Sequence, residues 1–134
     1  MATAKRVAYF KAKIEDKPGA LLALAKDLKE KKLDLIALKG VGQAGQGEIL
    51  VIAKSPDKLR GAWTTSGVLV EEGTVFFLSG TDATGALVTS LDVIANAGVN
   101  IVATEAIAVG GKFGVVLWVS PEDLDKTAQA LGAQ

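Results

Sequence analysis

The chain repeats itself. DKPGALLALAKDLKEKKLDLIAL, Asp16 to Leu38, returns as DATGALVTSLDVIANAGVNIVAT, Asp82 to Thr104. At an offset of 66, Asp16 matches Asp82, Gly19, Ala20 and Leu21 match Gly85, Ala86 and Leu87, and Leu28 matches Ile94. Leu33, Asp34 and Leu35 match Val99, Asn100 and Ile101 in the same way. Farther on, KSPDKL at 54–59 answers VSPEDL at 119–124 at an offset of 65, so the second copy has lost one residue in a turn. Repetition of this length means one supersecondary unit built twice. The 134 residues suffice for two small modules, placed here at 1–72 and 73–134.

Each copy reads in the same order. Val7 to Ile14 alternates as a strand, and Asp16 to Gly19 turns into a helix. Leu21, Leu22, Ala25 and Leu28 recur at helical spacing and predict its buried stripe. Strands follow at 33–39, 48–53 and 67–72, with a hairpin loop at 40–47 and a short helix from Ser55 or Asp57 to Thr64. The second copy begins with a strand at 74–79, then a helix at 84–97, strands at 99–107 and 112–119, and a helix at 121–131. The order βαββαβ predicts an α+β fold: two ferredoxin-like modules, each an antiparallel sheet with its helices on one face. The second module has no room for its last strand. Its first strand, 74–79, is then an open edge, which the strand 67–72 or a second subunit would cover. A homodimer is expected for that reason.

Composition narrows the function classes. Lys plus Arg and Asp plus Glu are 15 each, so the net charge is zero, and no basic block offers itself to nucleic acid. The chain has neither cysteine nor histidine, which removes thiol chemistry, the commonest neutral-pH base and the commonest transition-metal ligand. Ser66, Ser79, Ser90 and Ser120 therefore have no imidazole to activate them. No calcium-loop pattern is present. No catalytic residue, metal or cofactor is expected. No apolar run reaches 18 residues and the start lacks a signal-peptide core, so neither a membrane span nor secretion is expected and a cytoplasmic setting is the default. Gly40, Gly42 and Gly45 match GxGxxG, but a strand follows where a dinucleotide site needs a helix. Trp63 and Trp118 read as packing residues.

The turns before the first helix of each copy are the candidate sites. Pro18 suits the first helical turn and Gly19 keeps that turn bare, so uncovered N–H groups at the helix head could hold a carboxylate or phosphate. In the second copy Thr81, Asp82 and Thr84 flank Gly85, and Asn100 opens the following strand. Asp82, the Gly85 N–H and Asn100 could together supply the donors and acceptors a zwitterion needs. Local sequence alone equally allows a well-made helix start and a turn-ordering Asn.

The repeated signature resembles the opening of an ACT domain, a small amino-acid-sensing regulatory module: an Asp, a Pro-Gly, a helix, then a strand often begun by Asn-Ile. Asp16, Pro18, Gly19 and Leu21 match it in copy one, where Asp34 stands in the place of the Asn. Asp82, Gly85, Leu87, Asn100 and Ile101 match it in copy two, where Thr84 replaces the proline. The resemblance implies regulatory ligand binding without catalysis, between the loop before the first helix and the second strand, at module or subunit interfaces. It carries Asp16, Pro18, Gly19 and Ala20 into the candidate set for copy one. For copy two it carries Asp82, Thr84, Gly85, Ala86, Asn100 and Ile101, the fuller polar set. The expected ligand is a free amino acid. The alternative is a ligand-independent interaction module that associates with a metabolic enzyme.

Overall fold

The computed structural model describes residues 3–43 and 45–133, with Gln43 described by its backbone alone. The elements run β1 (Thr3–Glu15), α1 (Ala20–Glu30), β2 (Leu35–Gln43), β3 (Gln46–Ala53), α2 (Pro56–Ser66), β4 (Leu69–Gly80), α3 (Ala83–Asn96), β5 (Ile101–Val109), β6 (Lys112–Val119) and α4 (Leu124–Leu131). A 3-10 turn, Pro121–Asp123, leads into α4. The chain divides into two compact units: residues 8–73, and residues 74–133 together with residues 3–7. No helix among the described residues is long and apolar enough to cross a membrane.

In the first unit the strand order is β2-β3-β1-β4. β3 pairs antiparallel with both neighbours, with Val51 opposite Phe10 on one side and Leu38 on the other. Its unbroken run Ile49–Ala53 is buried throughout, as a strand flanked on both edges should be. α1 and α2 cover one face: Leu24, Leu28, Leu59 and Trp63 pack with Phe10, Ala12, Ile49 and Val51. The helical stripe is not the one the spacing predicts. Leu24 and Leu28 are buried, one turn apart, while Leu21 and Leu22 stay 44% and 58% exposed. Leu22 points about 120° away from Leu28 around the helix, whereas Leu21 points within about 20° of Leu28 but lies two turns earlier, in the first turn of α1.

The second unit has the strand order β1-β4-β6-β5. Phe76 faces Leu117, and Ala106 faces Val115, in antiparallel pairs. Its core joins Phe76, Leu78, Val115 and Leu117 to Ile94 of α3 and Ala128 of α4. No strand follows α4 among the described residues. The place beside β4 is taken instead by the first residues of the chain, the opening of β1. Ala4 packs against this unit's core, and Arg6 Nη1 lies 2.9 Å from Asp125 Oδ1 of α4. The open edge expected at 74–79 is thus closed by neither the strand 67–72 nor a second subunit. The argument for a dimer from that edge falls away. Residues 3–7, expected in the first module, cluster with the second.

Strands 67–72 and 74–79 are in fact one continuous strand, β4. The lone Gly73 between them makes no turn. A Cβ there would lie 2.5 Å from the Tyr9 ring, so the glycine exists to let that ring lie flat on the sheet. Tyr9 then donates its hydroxyl to Glu71 at 2.9 Å, and Lys11 bridges Glu71 and Glu48. Burial and the Glu71 hydrogen bond both push the Tyr9 hydroxyl pKa up. Likewise the expected loop at 40–47 is mostly strand, since β2 runs to Gln43 and β3 resumes at Gln46. Residue 44 of that turn lies outside the described residues. Its counterpart, Gly110-Gly111, has φ of 58° and 81°, the two left-handed residues of a tight hairpin.

Candidate functional site

α3 begins one residue after Asp82, whose extended backbone and carboxylate make it the N-cap: the Gly85 N–H donates to Asp82 Oδ1 at 3.2 Å. The Ala86 N–H donates to the Asp82 carbonyl. Gly85 is required for this geometry, because a Cβ would stand 2.3 Å from Asp82 Oδ2. The donor expected to be available for a ligand, the Gly85 N–H, is therefore already used, as is the N–H of Ala86 beside it. The N–H groups of Ala83 and Thr84, one step earlier, have no partner among the described hydrogen bonds, as the first positions of a helix usually do not.

Those two residues line a cavity of about 190 Å³. Ala83, Thr84 and Leu87 form one wall, Ala106, Ile107 and Ala108 of β5 the second, and Phe113 and Val115 of β6 the floor. The lining carries one hydroxyl, Thr84, and no charged side chain. The N-terminal dipole of α3 adds partial positive charge where the two open N–H groups point. Open N–H donors beside apolar walls have the chemistry to hold a small carboxylate with an apolar body.

Asn100 is not brought to this cavity. α3 runs back along the sheet before the chain enters β5, so the strand starts at the opposite end from the loop. Asn100 is exposed and precedes Ala106 by six residues, a distance of about 20 Å along a strand. Ile101 and Ala86 instead pack against the core of their unit. The set Asp82, Gly85 and Asn100 does not come together within one chain. The signal that could have found the cavity was in the sequence: Ala106 and Ala108, two small residues on one face of β5, opposite bulky Val115 and Phe113.

The first copy is built differently. The residue before a proline avoids helical dihedrals, and Lys17 precedes Pro18, so α1 starts later, at Ala20. Gly19 is its N-cap, with φ 87° and no side-chain cap bond. Pro18 thus lies before the helix rather than in its first turn. Asp16, the counterpart of the Asp82 cap, turns away and sits over Gly42 of β2, where a Cβ would be 2.7 Å from both carboxylate oxygens. Gly40, Gly42 and Gly47 replace Ala106, Ala108 and Phe113, so this copy lacks the side chains that wall the cavity.

The fold recurs in solved structures. Protein BT0572 from Bacteroides thetaiotaomicron matches with a TM-score of 0.82 and 26% identity, over 96% of this chain and 88% of that one. The ligand-free regulatory subunit of aspartate kinase from Thermus thermophilus matches at 0.60 with 12% identity, covering 98% and 95% of the two chains. The chain has an ACT-like fold. The regulatory subunit of aspartate kinase from Thermus flavus shares it at 0.56, with 13% identity over 98% and 94% of the two chains. No protein-family model matches the sequence, nor does any curated protein sequence. The fold is therefore one that regulatory subunits of aspartate kinase also adopt. The described residues contain no cluster of acidic side chains able to hold a metal ion.

Proposed function

We propose that this protein is a regulatory sensor that binds a free amino acid with a small apolar side chain in the cavity between α3 and β5. The observation that carries the reading is the junction of two open N–H groups, Ala83 and Thr84, with apolar walls from Leu87, Ile107 and Phe113. The donors suit the carboxylate and the walls suit the side chain. Acidic and basic side chains would enter a lining with no counter-charge, at a cost of several kcal/mol.

A second copy completes the site. β5 is an edge strand with eight consecutive exposed residues, among them Val102, Ile107 and Val109 at 62%, 68% and 71% exposure. Such an edge invites pairing. In an antiparallel pair the start of one strand faces the end of the other, so Asn100 of the partner subunit would approach the cavity and offer its carbonyl to the ligand ammonium. Titration calorimetry tests this. Valine, leucine or isoleucine should give binding heat, and aspartate and lysine none. Ala106→Leu, which fills the cavity, should abolish that heat, and Ile107→Lys should convert the dimer to monomer in light scattering and weaken binding at least tenfold. Absence of heat with all twenty amino acids refutes the reading, as does undiminished binding by the Ala106→Leu variant.

The same exposed β5 edge favours a second reading, a ligand-independent module that docks on a metabolic enzyme. A dimer or hetero-complex that forms through β5 with no amino acid bound, and no binding heat, would establish it.

A further inference from the structure

The first unit carries an unassigned cleft at the other end of its helix. It has a volume of about 420 Å³ and lies between the last turns of α1 and the start of β2. Ala25, Leu28, Leu33 and Leu35 line its apolar part, and Lys29, Lys32 and Asp34 its polar rim. Lys31 pairs with Asp27. Lys29 and Lys32 have no ion-pair partner among the described residues.

Lys32 is where the backbone departs from the ordinary. Its φ is 57°, the one positive value among the described non-glycine residues. The chain must pass through a left-handed residue to leave the helix, and at the matching place after α3 it uses Gly98, with φ 75°. Lysine in that conformation is disfavoured. Helix ending does not explain the choice, since glycine does it without strain, and Lys29 already sets a cation in the last turn of α1. The left-handed backbone instead fixes Lys32 at the rim of the cleft, beside Lys29.

We propose that this cleft binds a phosphomonoester with a compact apolar body. Two ammonium groups match the charge of about −2 on a phosphate monoester, and both can donate to its oxygens. Leu28, Leu33 and Leu35 take the apolar body. Asp34 can accept a hydrogen bond from a hydroxyl or amine on that body. This site lies on the other unit from the cavity proposed for amino acids, so the two stand or fall separately.

Phenyl phosphate serves as the probe, with benzoate as the monoanionic arm and inorganic phosphate as the head without a body. Nitrogen-15 amide shifts report the binding place. Phenyl phosphate should shift amides within residues 25–35, and benzoate and phosphate should bind several-fold more weakly. Lys29→Ala should weaken phenyl phosphate about fivefold. Lys32→Gly should weaken it likewise while raising the melting temperature by about 2–4 °C, because strain is relieved. A variant that is better folded yet binds worse separates a ligand contact from a structural one. The proposal is overturned if phenyl phosphate leaves residues 25–35 unshifted, if benzoate binds as well, or if Lys32→Gly binds undiminished.

Discussion

Gly85 offers the sharpest single-atom test of the helix start at the candidate site. A methyl group added there would stand 2.3 Å from Asp82 Oδ2 and 2.9 Å from its Cγ, so the carboxylate must move and its bond to the Gly85 N–H is lost. Losing an aspartate cap costs about 0.5–2 kcal/mol. Replacing glycine by alanine in a helix returns about 0.5–1 kcal/mol. In the native background the two offset, and Gly85→Ala should change stability by less than about 1 kcal/mol. In an Asp82→Ala background there is no carboxylate to displace, and the same substitution should stabilise by the full ~0.5–1 kcal/mol. Urea denaturation of the four proteins closes the double-mutant cycle. A coupling of about 1 kcal/mol is the expected result. Additive effects, with Gly85→Ala equally stabilising in both backgrounds, would show that Asp82 does not cap α3.

Gly73→Ala puts a methyl group 2.5 Å from the Tyr9 ring and should cost about 1–3 kcal/mol, whereas Gly61→Ala, in α2 with nothing within 4 Å, should stabilise by about 0.5–1 kcal/mol. Thermal melts that rank them the other way refute the close approach of Tyr9 to the sheet. Trp63 is fully buried but its indole N–H has no described partner, so Trp63→Phe should cost under about 1.5 kcal/mol against about 3–5 kcal/mol for Trp63→Ala, read by urea midpoints. The Tyr9 hydrogen bond, helped by Lys11 and opposed by partial burial, holds the Glu71 carboxyl below its usual range. A depressed folded-state pKa stabilises above the unfolded value of about 4.3 and is lost as pH falls through the folded one. Glu71→Gln should therefore be less stable than the native protein at pH 7 and converge on it in acid, and a pH-independent gap between their melting temperatures would contradict this.

Periodicity made much of this fold legible. The offset of 66 holds through strand, helix and hairpin, although the two helices start differently: Gly19 caps α1 in a left-handed conformation, while Gly85 lies inside α3 behind the Asp82 cap. What periodicity missed has physical causes. Leu22 is apolar but points away from Leu28, while Leu21 points with Leu28 yet lies in the first turn of α1, and apolar spacing does not say which turns of a helix the sheet covers. Gly73 looks like a turn because glycine permits one, and nothing local reveals that Tyr9, remote in sequence, needs its empty face. Asn100 looks close to the loop because the motif is short in sequence, yet the 14 residues of α3 carry the chain back along the sheet before β5 begins.

The least legible feature is also the one with most consequence for function. A strand's partner is set by what edge remains open, and among the described residues no strand follows α4. Nothing in THR-ALA-LYS-ARG-VAL, residues 3–7, distinguishes a strand that completes the distant repeat from one that only begins the nearby one. Residues 3–7 of β1 cluster with the second unit, within which Arg6 meets Asp125. Closing the β4 edge within the chain leaves β5 as the exposed apolar edge of that unit, next to the cavity it walls. If copies pair along β5 as proposed, they do so on the strand that walls the candidate site, and ligand occupancy and pairing would then bear on one another.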